Sequence, residues 1–176
     1  GGKAGFALSP AGDVNGDGYD DYLVGAPEAA PTSSVTGEAY LFLGGPTPVG
    51  GTAHSDADIV FAGARSGGEA GYTVAGVGDV NGDGYDDILI GEPGDDTSYL
   101  LHGGPTGGSA KACVPSGGTS SAYCNLFEYP SGTSNSVSLL TQYHVKIEGP
   151  SGSSFGTSVS AVGDVNADGF DDFIVG

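Results

Sequence analysis

GDVNGDGYDD occupies residues 12–21 and recurs unchanged at residues 78–87; residues 163–172 read GDVNADGFDD, differing only at Ala167 and Phe170. Counted from Asp13, oxygen-bearing side chains fall at loop positions 1, 3, 5 and 9 as Asp13, Asn15, Asp17 and Asp21, and Tyr19 at position 7 offers its main-chain carbonyl. The second copy places Asp79, Asn81, Asp83, Tyr85 and Asp87 at these positions, and the third Asp164, Asn166, Asp168, Phe170 and Asp172. A ring of oxygens drawn from one short loop suits a hard cation with six to eight ligands at about 2.3–2.6 Å, calcium ahead of magnesium. Runs of Asp, Asn and Gly also form plain turns, but a turn needs no acid at positions 1, 5 and 9 in every copy. Three Ca²⁺ sites are therefore expected. Asp20, Asp86 and Asp171, at position 8, are expected to point away from the ring, into solvent or onto a neighbouring backbone group.

The surroundings of the loops are β-like. Short alternating segments precede them (Ala4–Ser9, Ala70–Ala75, Phe155–Ser160), and apolar runs follow: Tyr22–Gly25, Ile88–Gly91 and Phe173–Gly176. Runs apolar at consecutive positions read as strands covered on both faces. Third strands are expected at Glu38–Leu43 and Thr97–His102, and fourth strands at Asp58–Ala62 and His144–Glu148. An EF-hand would need a glutamate at position 12 and flanking helices; Val24, Ile90 and Val175 stand there, inside β-like runs. A dockerin-type loop, also followed by a helix, is excluded by the same exit.

Composition agrees with an all-β chain. Thirty-five glycines and ten prolines supply turns, and no long segment carries an apolar 3.6-residue period. The formal charge of −18 is concentrated in the loops, which hold twelve of the twenty-two acids. Four basic residues (Lys3, Arg65, Lys111 and Lys146) give no stripe for phosphate, so nucleic acid and anionic membrane are poor partners. No signal peptide or membrane span is visible, and the missing initiating methionine suggests a processed form or a piece of something longer.

Four strands per unit, with units near 4–69 and 70–152 and a half unit at 153–176, are the signature of propeller blades. Two and a half such blades are not expected to close alone. The longer second span is explained by an insertion near 104–142, rich in Ser and Thr, which carries Cys113 and Cys124. In an oxidising compartment these two would pair as a disulfide; two buried thiols are the alternative.

Gly-Asp-Val-Asn-Gly-Asp-Gly-Tyr-Asp-Asp followed by Gly25-Ala26-Pro27, with Phe155-Gly156 before the third loop, resembles the FG-GAP repeat of integrin α-chain β-propellers and their bacterial relatives. Ala4-Gly5 and Ala70-Gly71 replace the Phe-Gly element in the first two units, and Gly91-Glu92-Pro93 departs from Gly-Ala-Pro at Glu92. The resemblance implies calcium at the hairpin tips on one face of a propeller. It also implies an extracellular, secreted or cell-surface adhesion or recognition module with a protein or glycan ligand. The insertion, with Tyr123, Leu126, Phe127 and Tyr129, is a candidate binding loop or else a spacer. The alternative is a structural protomer of an extracellular fibre or surface assembly, in which copies complete one another's blades; an accessory domain of a secreted hydrolase ranks below both. No catalytic residues are expected: His54, His102 and His144 are isolated, and no Gly-x-Ser-x-Gly or metal-hydrolase spacing occurs.

Overall fold

Each loop joins two antiparallel strands in the computed structural model, which describes residues 2–30, 35–47, 53–106, 136–139 and 144–176. In chain order the elements are β1 (Ala7–Gly12), β2 (Asp21–Ala26), β3 (Glu38–Phe42), the single-turn helix α1 (Ala53–Asp56) and β4 (Ile59–Ala62). Then come β5 (Thr73–Gly78), β6 (Asp87–Glu92), a 3₁₀ turn at Pro93–Asp95, β7 (Thr97–Leu101), β8 (Ser136–Ser138), β9 (Val145–Glu148), β10 (Val159–Gly163) and β11 (Asp172–Val175). They form three sheets, ordered β1-β2-β3-β4-β8, β5-β6-β7-β9 and β10-β11. The chain is all-β, in antiparallel units of the kind that build propeller blades.

One sheet departs from the four-strand plan. β8, from within the expected 104–142 insertion, pairs parallel with β4 of the first unit, Val60 opposite Ser136 and Ala62 opposite Ser138. Part of the insertion thus reaches back to edge the preceding sheet, and Val137 and Leu139 are buried there. Hydrophobicity alone could not place a three-residue strand in a Ser-rich segment.

The first strand of each unit begins later than expected. Gly5, Gly71 and Gly156 have φ of 89°, 77° and 91°, a left-handed conformation that strands do not use. Each closes a tight turn instead: Phe6, Tyr72 and Thr157 donate their N–H groups to the carbonyls of Lys3, Glu69 and Ser154. The three glycines also donate to Gly25, Gly91 and Gly176, at 3.0, 3.0 and 2.9 Å. The Phe-Gly element is therefore a clamp onto the end of the hairpin's second strand. The strand that follows it carries a β-bulge in the same place each time, just before Gly12, Gly78 or Gly163, which re-aims the chain into the loop.

Packing explains which strands read as continuous apolar runs. The middle sheet is covered on both sides, and Ile88, Leu89 and Ile90 are fully buried. One core, containing Leu23, Leu41, Phe61, Ile88, Ile90, Tyr99 and Leu101, lies between the first and second sheets. Another joins Ala75, Val77, Leu89 and Leu100 to Val159, Phe173 and Val175 of the third hairpin. The outer hairpins are covered less: Leu8 is 71% exposed and Ile174 58%. Glu92 also finds a place in this packing. Fully buried, it accepts the Ala64 and Arg65 N–H groups at 3.0 and 3.4 Å, joining the second unit to the exit of the first.

Candidate metal centres at the hairpin tips

The three loops share one internal architecture. In the first, Asp13 Oδ1 accepts the N–H groups of Gly16 (2.7 Å) and Asp17 (3.0 Å), and Oδ2 accepts that of Gly18 (2.8 Å). Asn15 Oδ1 accepts the Asp17 N–H at 2.9 Å, while its amide donates to Asp17 Oδ2 at 3.0 Å. Positions 1, 3 and 5 thus face a common interior. Asp79, Asn81 and Asp83 repeat the arrangement; in the third loop Asp164 accepts the Asp168 and Gly169 N–H groups at 3.1 and 2.9 Å and Asn166 Oδ1 accepts the Asp168 N–H at 2.8 Å. Gly18, Gly84 and Gly169 have φ near 90°, which lets the chain turn sharply between positions 5 and 7.

Position 9 anchors the loop from below. Asp21 is 2% exposed and accepts the Val14 N–H at 2.9 Å and the Gly44 N–H at 2.7 Å. Asp87 does the same with Val80 and Gly103, at 3.1 and 2.9 Å. Burial pushes Asp21 up to about 6, opposed by the Gly44 and Val14 N–H groups and assisted by the negative charges of Asp17 and Asp13. The negative charges of Asp17 and Asp13 thus add to the effect of burial on Asp21, and a bound cation would offset them. Asp164, in contrast, is exposed and held below the ordinary carboxylate range, chiefly by the Gly169 N–H.

The donor set is oxygen throughout, which fits a hard cation. Among the described residues no group of three or more acidic, histidine or cysteine side chains stands ready to hold an ion as placed, because the loop carboxylates are turned onto the loop's own N–H groups. Side-chain rotation, with the Asn amide and the Tyr19, Tyr85 or Phe170 carbonyl added, would supply the ligand set.

Position 8 has a separate task, as its alternation away from the ring suggests. Asp86 Oδ2 accepts the N–H of Asp13 at 2.8 Å, and Asp171 Oδ2 accepts that of Asp79 at 3.1 Å. The main chain reciprocates: the Asp86 N–H donates to the Asp13 carbonyl at 3.3 Å, and Asp171 to Asp79 at 3.2 Å. The second loop is thereby fastened to the first, and the third to the second. Asp20, at the same position of the first loop, is exposed.

Two histidines that are distant in sequence meet beneath the second loop. The His102 N–H donates to His144 Nδ1 at 2.7 Å, the rings lie 4.9 Å apart, and His102 Nδ1 is 3.2 Å from Asp87 Oδ2. Their pairing follows from the β7–β9 register, in which Leu100 faces Val145, so it was legible only once those two strands were known to be neighbours. The backbone of His54 lies in α1. Cys113, Cys124, Tyr123, Leu126, Phe127 and Tyr129 lie outside the described residues.

The FG-GAP repeat family matches residues 4–42 and 70–110. The chain is 32% identical over 169 residues to mouse (Mus musculus) integrin alpha-IIb, an alignment covering 93% of this chain and 14% of that protein. It is 34% identical over 110 residues to integrin alpha-PS5 of Drosophila melanogaster, covering 60% of this chain and 10% of that protein. With mouse integrin alpha-8 the identity is 40% over 86 residues, 46% of this chain and 8% of the relative. The chain thus spans about a seventh or less of the length of these relatives. Together with three strand–loop–strand units that share one pairing pattern and bulge, these likenesses lead to one conclusion: the chain is an integrin-like FG-GAP repeat protein.

Proposed function

We propose that this chain is part of an extracellular recognition or adhesion propeller in which calcium at three hairpin tips is a structural brace. The observation that carries this reading is the threefold loop with an oxygen-only donor set, in which Asp13 and Asp17 crowd the buried Asp21. A divalent ion would offset that repulsion and hold each loop against its hairpin. At a calcium concentration about one hundred times Kd, each site would stabilise the fold by about 2.7 kcal/mol. Three such sites would contribute about 8 kcal/mol, comparable with the whole stability of a typical domain. Recognition of a protein or glycan belongs to the loops that this scaffold presents. If Cys113 and Cys124 are joined, their disulfide would pin the insertion as one such loop. The test is a thermal melt in millimolar calcium and again after chelation, with metal removal checked by elemental analysis. A fall in Tm of ten degrees or more is expected, and an unmoved Tm would sink the brace.

A further inference from the structure

The two junctions between successive loops obey one steric rule. The ring of Tyr85 lies over Gly16, and the ring of Phe170 lies over Gly82. A Cβ on Gly16 would stand 2.6 Å from Tyr85 Cε1, and one on Gly82 would stand 2.5 Å from Phe170 Cε1. A side chain at position 4 of the receiving loop would therefore force the position-7 aromatic of the incoming loop to move its ring away. The same incoming loop delivers the position-8 acid to the N–H at position 1, at 2.8 Å in the first junction and 3.1 Å in the second.

The third loop keeps half of this arrangement and alters the other half. Its position 4 is Ala167, whose φ of 61° matches the 73° and 74° of Gly16 and Gly82. The methyl group is thus directed where the two glycines receive a ring. Nothing stands within 4 Å of a Cβ built on Gly163, whereas at Gly12 and Gly78 that space is filled by Asp86 and Asp171. Val165 is 69% exposed, although Val14 at the same position of the first loop is fully buried. Among the described residues no carboxylate meets the Asp164 N–H.

We propose that Ala167 makes the open face of the third loop selective for its partner. That face takes a loop of the same hairpin type that carries an acid at position 8, for the Asp164 N–H, and a short, non-aromatic side chain at position 7. The occupant is indicated by the continuity of the junction, which occurs twice within the chain with the same hydrogen bonds. A consequence follows for self-assembly. The chain's own first loop presents an exposed acid, Asp20, beside an aromatic, Tyr19, which is 43% exposed. It offers the right acid and the wrong ring, so Ala167 would disfavour this loop of a second copy at the same face.

The test uses the full chain and a double-mutant cycle at the intact second junction, read by melting temperature. Gly82→Ala carries the cost of an alanine at φ 74° in either background, so it should lower Tm in both, by several degrees more while Phe170 is present than in the Phe170→Val background. Equal costs in both backgrounds would show that the ring does not exclude the methyl group and would overturn the proposal. Both substitutions lie within proposed metal loops, so the cycle is run with and without calcium: a ring clash gives the same coupling in both, whereas an effect through the brace appears only with calcium. Sedimentation velocity of the wild-type and Ala167→Gly chains adds a direct check. Wild-type copies that associate as tightly as Ala167→Gly copies, with Tyr19→Asp abolishing both associations, would also refute the selectivity.

Discussion

Replacing Glu92 by glutamine should remove a specific pH dependence from the stability of this chain. Glu92 is fully buried at the end of β6. Burial raises its pKa from the ordinary 4.5 to about 7, against the opposing effect of the Arg65 and Ala64 N–H groups and the Tyr99 hydroxyl; the Asp95 carboxylate adds to the rise. The Arg65 side chain is turned to Asp95, 3.5 Å away, rather than to Glu92. Between pH 4.5 and 7 the folded chain therefore binds a proton that the unfolded chain has lost. Stability from this group is fully present below pH 4.5 and is lost as pH rises through 7, the reverse of an ion-paired carboxylate. At 1.36 kcal/mol per pKa unit the loss amounts to about 3 kcal/mol. The assay is urea unfolding of wild-type and Glu92→Gln chains from pH 4.5 to 8 in saturating calcium. The loop acids titrate alike in both, so their contribution cancels in the difference. That difference should favour wild type at pH 4.5 and shift toward the variant by about 3 kcal/mol by pH 8. Glutamine's mismatch with the Ala64 N–H adds a constant offset only. A difference that does not change with pH would refute the reasoning.

Two further outcomes follow from the contacts between units. Asp86→Ala removes the acceptor of the Asp13 N–H and should cost about 1–2 kcal/mol, whereas Asp20→Ala, at the equivalent exposed site, should stay within about 0.5 kcal/mol; denaturant midpoints compare them, and equal effects would show that the loop-to-loop hydrogen bond is inconsequential. Gly25→Ala would bring a Cβ to within 2.0 Å of the Gly71 carbonyl oxygen, so the first and second sheets should separate or shift, with a loss of about 3 kcal/mol or more and a matching fall in Tm.

Much of this fold is legible in sequence because the loop repeats. Once GDVNGDGYDD is fixed as a hairpin tip, the apolar runs beside it can only be strands, and the observed β2, β6 and β11 lie where those runs predict. The position-8 acids were legible for the same reason, since a strand-like exit turns Asp86 and Asp171 away from the ring. The errors arise where conformation, not hydrophobicity, decides. Ala4-Gly5-Phe6 alternates like a strand, yet the left-handed Gly5 makes it a turn. β8 escaped notice because its pairing with β4 crosses most of a repeat. Tyr85 on Gly16 was hidden too, since nothing local says that position 7 of one loop meets position 4 of the loop before it. In the site itself the residue types define the chemistry, whereas the commitment of Asp21 and Asp87 to main-chain N–H groups needed the third dimension.

The central claim, a calcium brace at three hairpin tips, is met most directly by isothermal titration of the calcium-stripped chain with CaCl₂. Three ions per chain are expected, with Asp17→Ala, Asp83→Ala and Asp168→Ala each removing one. Heats no greater than dilution, or a stoichiometry that none of the three substitutions lowers, would contradict it.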